Sequence, residues 1–193
     1  MPKRTETLLA DALTGAQSAP SSVMALDIGP VVSSAHLAAG RSPGLSEVEY
    51  GLMIAANAFN RWMVRCMAAA GYPGLSATEV AILHSIAHRD REKRMADIAL
   101  VLDIEDTHVV SYAMKKLETA GLITTRRMGK EKMVRLSEAG QLACQRYAQL
   151  REKLLLDITT EAKLAESDLS KAAAILRMLS GAYNQAARAA ATF

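Results

Sequence analysis

Residues 95–136 read Met95-Ala-Asp-Ile-Ala-Leu-Val-Leu102, then Asp103-Ile-Glu-Asp-Thr-His-Val-Val-Ser-Tyr-Ala-Met-Lys-Lys-Leu-Glu-Thr-Ala-Gly-Leu122, then Ile123-Thr-Thr-Arg-Arg-Met-Gly-Lys-Glu-Lys-Met-Val-Arg-Leu136. The stretch parses as a short helix, a tight turn, a longer helix and a β-hairpin. In the longer helix Val110, Ala113, Met114 and Leu117 recur at i, i+3, i+4 and i+7, so one stripe should face a core. Asp106 is placed to cap its start and Gly121 to close its end. Ile123, Thr124 and Thr125 have strand character, Gly129 permits a tight turn, and 132–136 is expected to return. Short helix, turn, long helix and hairpin in that order predict a winged helix-turn-helix, a shape that fits a major groove.

The opposite face of the long helix carries Thr107, His108, Ser111, Tyr112 and Lys115, which are hydrogen-bonding or cationic groups of the kind that read base edges. Lys115 and Lys116 are expected to hold phosphate. Across 115–135 the basic residues Lys115, Lys116, Arg126, Arg127, Lys130, Lys132 and Arg135 are opposed only by Glu118 and Glu131. The whole chain carries a net charge of only +3, so positive charge is concentrated here, as phosphate contact requires. The candidate interface with double-stranded DNA is therefore helix 106–120 with the hairpin 126–135. Side chains alternate along a strand, so only one of Arg126 and Arg127 should meet phosphate, and Lys130 at the tip is the freest to reach.

The remaining composition sets bounds. A chain of 193 residues, 50% of them hydrophobic, can bury one core with an appended oligomerisation element. Aromatics are only 4% of it, while Ala, Leu and Met abound, which favours helices. The expected class is mainly α with a small β-hairpin. No apolar run reaches membrane-span length. Near the start, Glu6 and Asp11 interrupt what Lys3 and Arg4 would need to introduce a signal peptide. Cys66 and Cys144 lie far apart, so reduced thiols and a cytoplasmic location are expected.

Residues 1–45, punctuated by Pro20, Pro30 and Pro43, read as a partly disordered arm with a short helix over Thr5–Leu13 and an apolar stretch at Val31–Ala39. Folded structure is expected over 46–193. Ser46 and Glu49 form the pattern of a capping box that opens a helix over 46–70; Ser76 and Glu79 form another, opening a helix to about His88. Residues 89–94 read as a charged connector, and 75–136 as the reader unit. Ser137 should cap a helix to about Lys163, followed by a break near 166–168 and a last helix ending near Ala190. The first helix is apolar on nearly every side and the last is rich in Ala, Leu and Ile. Helices 46–70 and 137–190 are therefore expected to pair two copies into a homodimer.

This layout resembles the MarR family of winged-helix regulators over about 46–190. The Ala-Asp-Ile-Ala entry at 96–99, the Lys-Lys-Leu-Glu-x-x-Gly-Leu-Ile run at 115–123 and Leu136-Ser-Glu-Ala-Gly140 carry the resemblance. It implies a dimeric transcriptional regulator on a pseudo-palindromic operator, released or modulated there by a small, often aromatic or anionic effector. The family wing usually holds an Asp-x-Arg pair that buttresses the hairpin; here the tip is Met128-Gly-Lys-Glu-Lys132, shorter and without it. The short wing and the Glu-Asp-Thr-His-Val-Val entry are most similar to a smaller subgroup that includes a regulator of an L,D-transpeptidase gene.

Other constellations compete. His84 and His88 share a helix face at i, i+4, a metal-binding spacing, but no third ligand is near in sequence, so no metal or cofactor is expected. Cys66, among Trp62, Met63 and Met67, is read as a small buried hydrophobe, with a redox sensor as the rival. Arg61, Trp62, Arg65 and His84 are the candidate effector residues, in a pocket between the first helix, helix 76–88 and helix 137–163. No nucleophile motif, P-loop or paired carboxylates point to an enzyme. A metal- or redox-responsive regulator of this fold, or a winged helix used only for protein contact, are the alternatives.

Overall fold

The computed structural model describes residues 29–193; the expected helix at Thr5–Leu13 and most of the arm lie outside them. The chain divides into two units, Met1–Met53 and Ile54–Phe193, the boundary falling inside one long helix. In the first unit α1 (Ala35–Ala38) precedes α2 (Pro43–Ala69). The second unit holds the rest of α2, then α3 (Ala77–Ala87), a 3-10 turn (His88–Asp90), β1 (Lys93–Arg94), α4 (Met95–Val101), α5 (Thr107–Thr119), β2 (Ile123–Met128), β3 (Glu131–Leu136), α6 (Glu138–Arg151), a π turn (Glu152–Leu156), α7 (Asp157–Glu161) and α8 (Glu166–Ala190).

Two expectations about the first helix need correction. It starts at Pro43, not Ser46. Proline's fixed φ suits the first helical turn, and the Ser42 carbonyl accepts from Leu45 N at 3.1 Å. Ser46 caps nothing: its hydroxyl donates to the Leu37 carbonyl at 2.9 Å, and the residue is buried. By contrast the box at Ser76 forms as read, with Glu79 N donating to Ser76 Oγ and Ser76 N donating back to Glu79 Oε2.

The core of the second unit gathers Met63, Cys66 and Met67 of α2, Val80, Ile82, Leu83 and Ile86 of α3, Ile98 of α4, and Val110, Ala113, Met114 and Leu117 of α5. The four-residue stripe read in the long helix is therefore the buried one. The charged connector hides a strand: Lys93 and Arg94 pair antiparallel with Val134 and Met133, making a three-stranded sheet in the order β1-β3-β2. Two residues are too few to show a period, so the sequence offers no sign of it. The hairpin register pairs Met128 with Glu131 across Gly129 and Lys130, one residue earlier than the expected return. Gly129, at φ 63°, takes the first position of that two-residue loop, where a II′ turn needs glycine.

Gly140 shows another use of a missing side chain. Ser137 caps α6, accepting from Gly140 N at 3.0 Å, while Ser137 N donates to the Leu122 carbonyl at 3.0 Å. A Cβ on Gly140 would fall inside the envelope of that same Leu122 carbonyl. The Leu-Ser-Glu-Ala-Gly signature is thus the joint that seats α6 on the end of α5. The helix then runs on through the π turn to Glu161. The break lies at 162–165, slightly before the expected place, with Lys163 at φ 55°. Glu166 and Asp168 sit in the first turn of α8, where acids favour a helix start.

Candidate nucleic-acid interface

Asp106 caps α5, accepting from His108 N at 2.8 Å. Thr107, His108, Ser111, Tyr112 and Lys115 are all exposed on one face, Tyr112 to 70%, with Val109 among them. Ser111 Oγ donates to Met95 Sδ at 3.5 Å, tying the face to the start of α4.

Lys116 leaves this face. Its Nζ lies 2.9 Å from Glu79 Oε2 and donates to the Gly74 carbonyl at 2.7 Å. The Glu79 side chain is only 5% exposed, so the lysine is its counter-ion, and the expected phosphate contact by Lys116 gives way to a structural tie between α5 and the start of α3.

The register divides the wing's side chains between two faces. Thr125, Arg127, Lys132 and Val134 share one; Thr124, Arg126, Glu131, Met133 and Arg135 share the other. On the first face Thr125 Oγ1 donates to Glu118 Oε1 at 2.6 Å and Lys132 Nζ sits 3.8 Å from Glu118 Oε2. On the second, Arg126 grips Glu92 through two nitrogens, Nε at 2.8 Å, and Arg135 Nε reaches Thr124 Oγ1 at 3.4 Å. Arg94 binds Asp97 at 2.7 Å and Glu131 at 3.2 Å. These two clamps, Arg126–Glu92 and Glu131–Arg94–Asp97, buttress the hairpin in place of the Asp-x-Arg pair it lacks. Arg126 holds the Glu92 carboxyl below the usual range, and Arg94 does the same to Asp97. Among the described residues Lys115, Arg127 and Lys130 have no ion pair. The free positive charge is thus narrower than the composition implies, because Glu79 and Glu92, far away in sequence, neutralise Lys116 and Arg126.

The candidate effector residues do not share one cavity. Trp62 and His84 both pack edge-on against Tyr147, at centroid distances of 6.4 and 4.4 Å. Arg61 and Arg65 are exposed beside a shallow hollow of about 290 Å3. His84 Nε2 is buried without a hydrogen-bond partner among the described residues, and burial lowers the ring's pKa. A larger cavity of about 740 Å3 lies between α3, β1, α4 and β3. It takes in His84 but neither arginine, and its rim holds Arg91, Glu92, Arg94 and Asp97, which sequence reasoning passed over because they belong to a connector without periodicity. Burial raises the Cys66 thiol and pushes Cys144 up to about 11, which leaves little thiolate for redox chemistry. No group of three or more His, Cys, Asp or Glu able to hold a metal assembles among the described residues, and no helix there is long and apolar enough to cross a membrane.

The matching family model, described as a winged helix DNA-binding domain, aligns with residues 75–140. Residues 75–140 have the fold of a winged helix. No curated protein matches the chain by sequence. Among solved structures, a mutant MarR from E. coli complexed with operator DNA is 14% identical, with a TM-score of 0.57, covering 72% of this chain and 98% of that one. The S. aureus MepR–DNA complex is 18% identical, TM-score 0.55, covering 69% and 96%. The PcaV transcriptional regulator from Streptomyces coelicolor in complex with its natural ligand is 15% identical, TM-score 0.55, covering 71% and 92%. The winged helix domain therefore sits within the MarR fold.

Proposed function

We propose that the chain is a dimeric, non-catalytic transcriptional regulator of the MarR type that binds a pseudo-palindromic operator and responds to a small-molecule effector. The observation that carries this reading is the exposed face of α5, with Thr107, His108, Ser111, Tyr112 and Lys115 beside a wing whose Arg127 and Lys130 are unpaired among the described residues. Such a face offers donors and acceptors to base edges, while the wing cations meet phosphate. That operator complexes exist for two proteins of this fold supports DNA as the partner, and the PcaV complex supports an effector.

Dimerisation rests on apolar faces left open within each unit. Leu52 and Met53 are exposed at the end of the first unit, Ile54 and Phe59 at the start of the second, and α8 buries none of its residues while presenting Leu169, Ile175, Leu176 and Met178. A monomer leaves such helices solvated at a cost of ~25 cal/mol per Å2 of apolar surface. Selection of DNA sites from a randomised pool tests the reading. A two-fold symmetric consensus that is lost in Tyr112→Ala is expected; recovery of random sequences would count against it.

A further inference from the structure

The cavity between α3, β1, α4 and β3 shares its rim with the wing's anchors. Its apolar wall is mostly aliphatic, with Ala81, Ile98, Val101, Leu102 and Met133 beside the ring of His84. Its volume of about 740 Å3 lies within the range of small-molecule sites. Two cations, Arg91 and Arg94, stand at the mouth with two carboxylates, Glu92, which Arg126 grips, and Asp97, which Arg94 holds. The Arg91 side chain makes no ion pair or hydrogen bond among the described residues, although its backbone carbonyl accepts from Lys93 Nζ at 3.5 Å, and Arg94 is held by Asp97 and Glu131. Lys93 is committed elsewhere, donating to the backbone carbonyls of Ile86 and His88.

Both partners of the Arg94–Glu131 pair are about half exposed, at 50% and 48%. Such a pair is weak and exchanges readily with a competing anion. Glu131 begins β3 next to the turn that bears Lys130, so releasing it loosens the tip without breaking the strand pairing.

We infer that this cavity is the effector site: it takes an aliphatic carboxylate, whose chain lies on Ile98, Val101, Leu102 and Met133 while its head group binds Arg91 and takes Arg94 from Glu131. The site and its coupling rest on the regulator reading above only for their consequence on DNA; binding itself does not. An aliphatic body follows from the wall, and a single anionic head from the two arginines. Because the ligand binds best when Arg94 has left Glu131, it favours the loosened wing over the clamped one, and this difference is what it exerts on DNA.

Octanoate serves as probe and 1-octanol as its neutral counterpart. Titration calorimetry on the full chain should show octanoate binding at least tenfold tighter than octanol. Arg94→Gln should weaken octanoate at least tenfold. Glu131→Gln removes the competitor and should tighten octanoate several-fold, an outcome a purely structural Glu131 would not give. Hydrogen exchange at 128–132 should rise with octanoate, and should already be raised in both variants without it. No octanoate binding, equal binding of octanoate and octanol, or affinity unmoved by Glu131→Gln would overturn the site. A protein that binds octanoate as described but no DNA from a randomised pool would overturn the regulator reading and leave the site standing.

Discussion

Gly140 and His84 illustrate how one residue can govern a joint. The Gly140 backbone lies directly on the Leu122 carbonyl, so Gly140→Ala should force α6 off the end of α5. Overpacking against rigid backbone costs on the order of 3 kcal/mol, and urea unfolding should show a loss of that size. A loss under 1 kcal/mol would mean the joint is soft. His84 acts through pH. Burial lowers its pKa, so the folded state keeps the ring neutral while the unfolded chain takes up a proton near pH 6.5. The unfolded state then binds more protons as pH falls below about 6.5, and stability drops over that range until the folded ring also titrates. Melting temperature measured from pH 7 to 5 should decline more steeply in the wild type than in His84→Phe. Equal slopes would assign the decline to other groups.

At the scale of elements, the wing separates cations that face solvent from cations that hold the hairpin. Each phosphate contact contributes roughly 0.9 to the log–log salt slope, so Lys130→Ala in a dimer should lower the slope by about 1.8 with little change in sequence preference. Arg126→Ala should leave the slope unchanged, because that guanidinium is spent on Glu92, yet raise exchange throughout the wing. A salt series on one DNA site measures both. The same elements show what a sequence can and cannot reveal. The α5 stripe, the Asp106 and Ser76 caps and the Gly129 turn are local, with their causes within four residues, and all were legible. Lys116, Arg126 and the cavity rim were not. Their partners, Glu79, Glu92 and Glu131, sit 37, 34 and 37 residues from them respectively, at contacts that only the folded chain creates. Ser46 was misread because a capping box and a serine that bonds the preceding turn look alike in one dimension.

At the scale of the whole molecule, α8 is tied to the reader unit by Asn184 Nδ2, which donates to both oxygens of Asp103. Removing 165–193 should therefore leave the winged helix core folded locally while abolishing dimerisation. Light scattering should report monomers or aggregates, and a clean dimer would show that α2 suffices. The π turn at Glu152–Leu156 carries a different lesson, one about insertions and deletions. Before it the covered positions are Gly140, Ala143 and Tyr147; an uninterrupted α-helix would continue them at 154 and 158, yet it is Leu155 and Thr159 that are half-buried while Leu154 and Ile158 are exposed. The wide turn has absorbed one surplus residue and kept everything downstream in phase. Deleting Lys153 should thus convert the turn to plain α geometry and preserve the fold, whereas deleting one residue from 141–149 would swing the rest of the helix by about 100°. At this turn the length of the chain can change by one and the faces of the helix still meet.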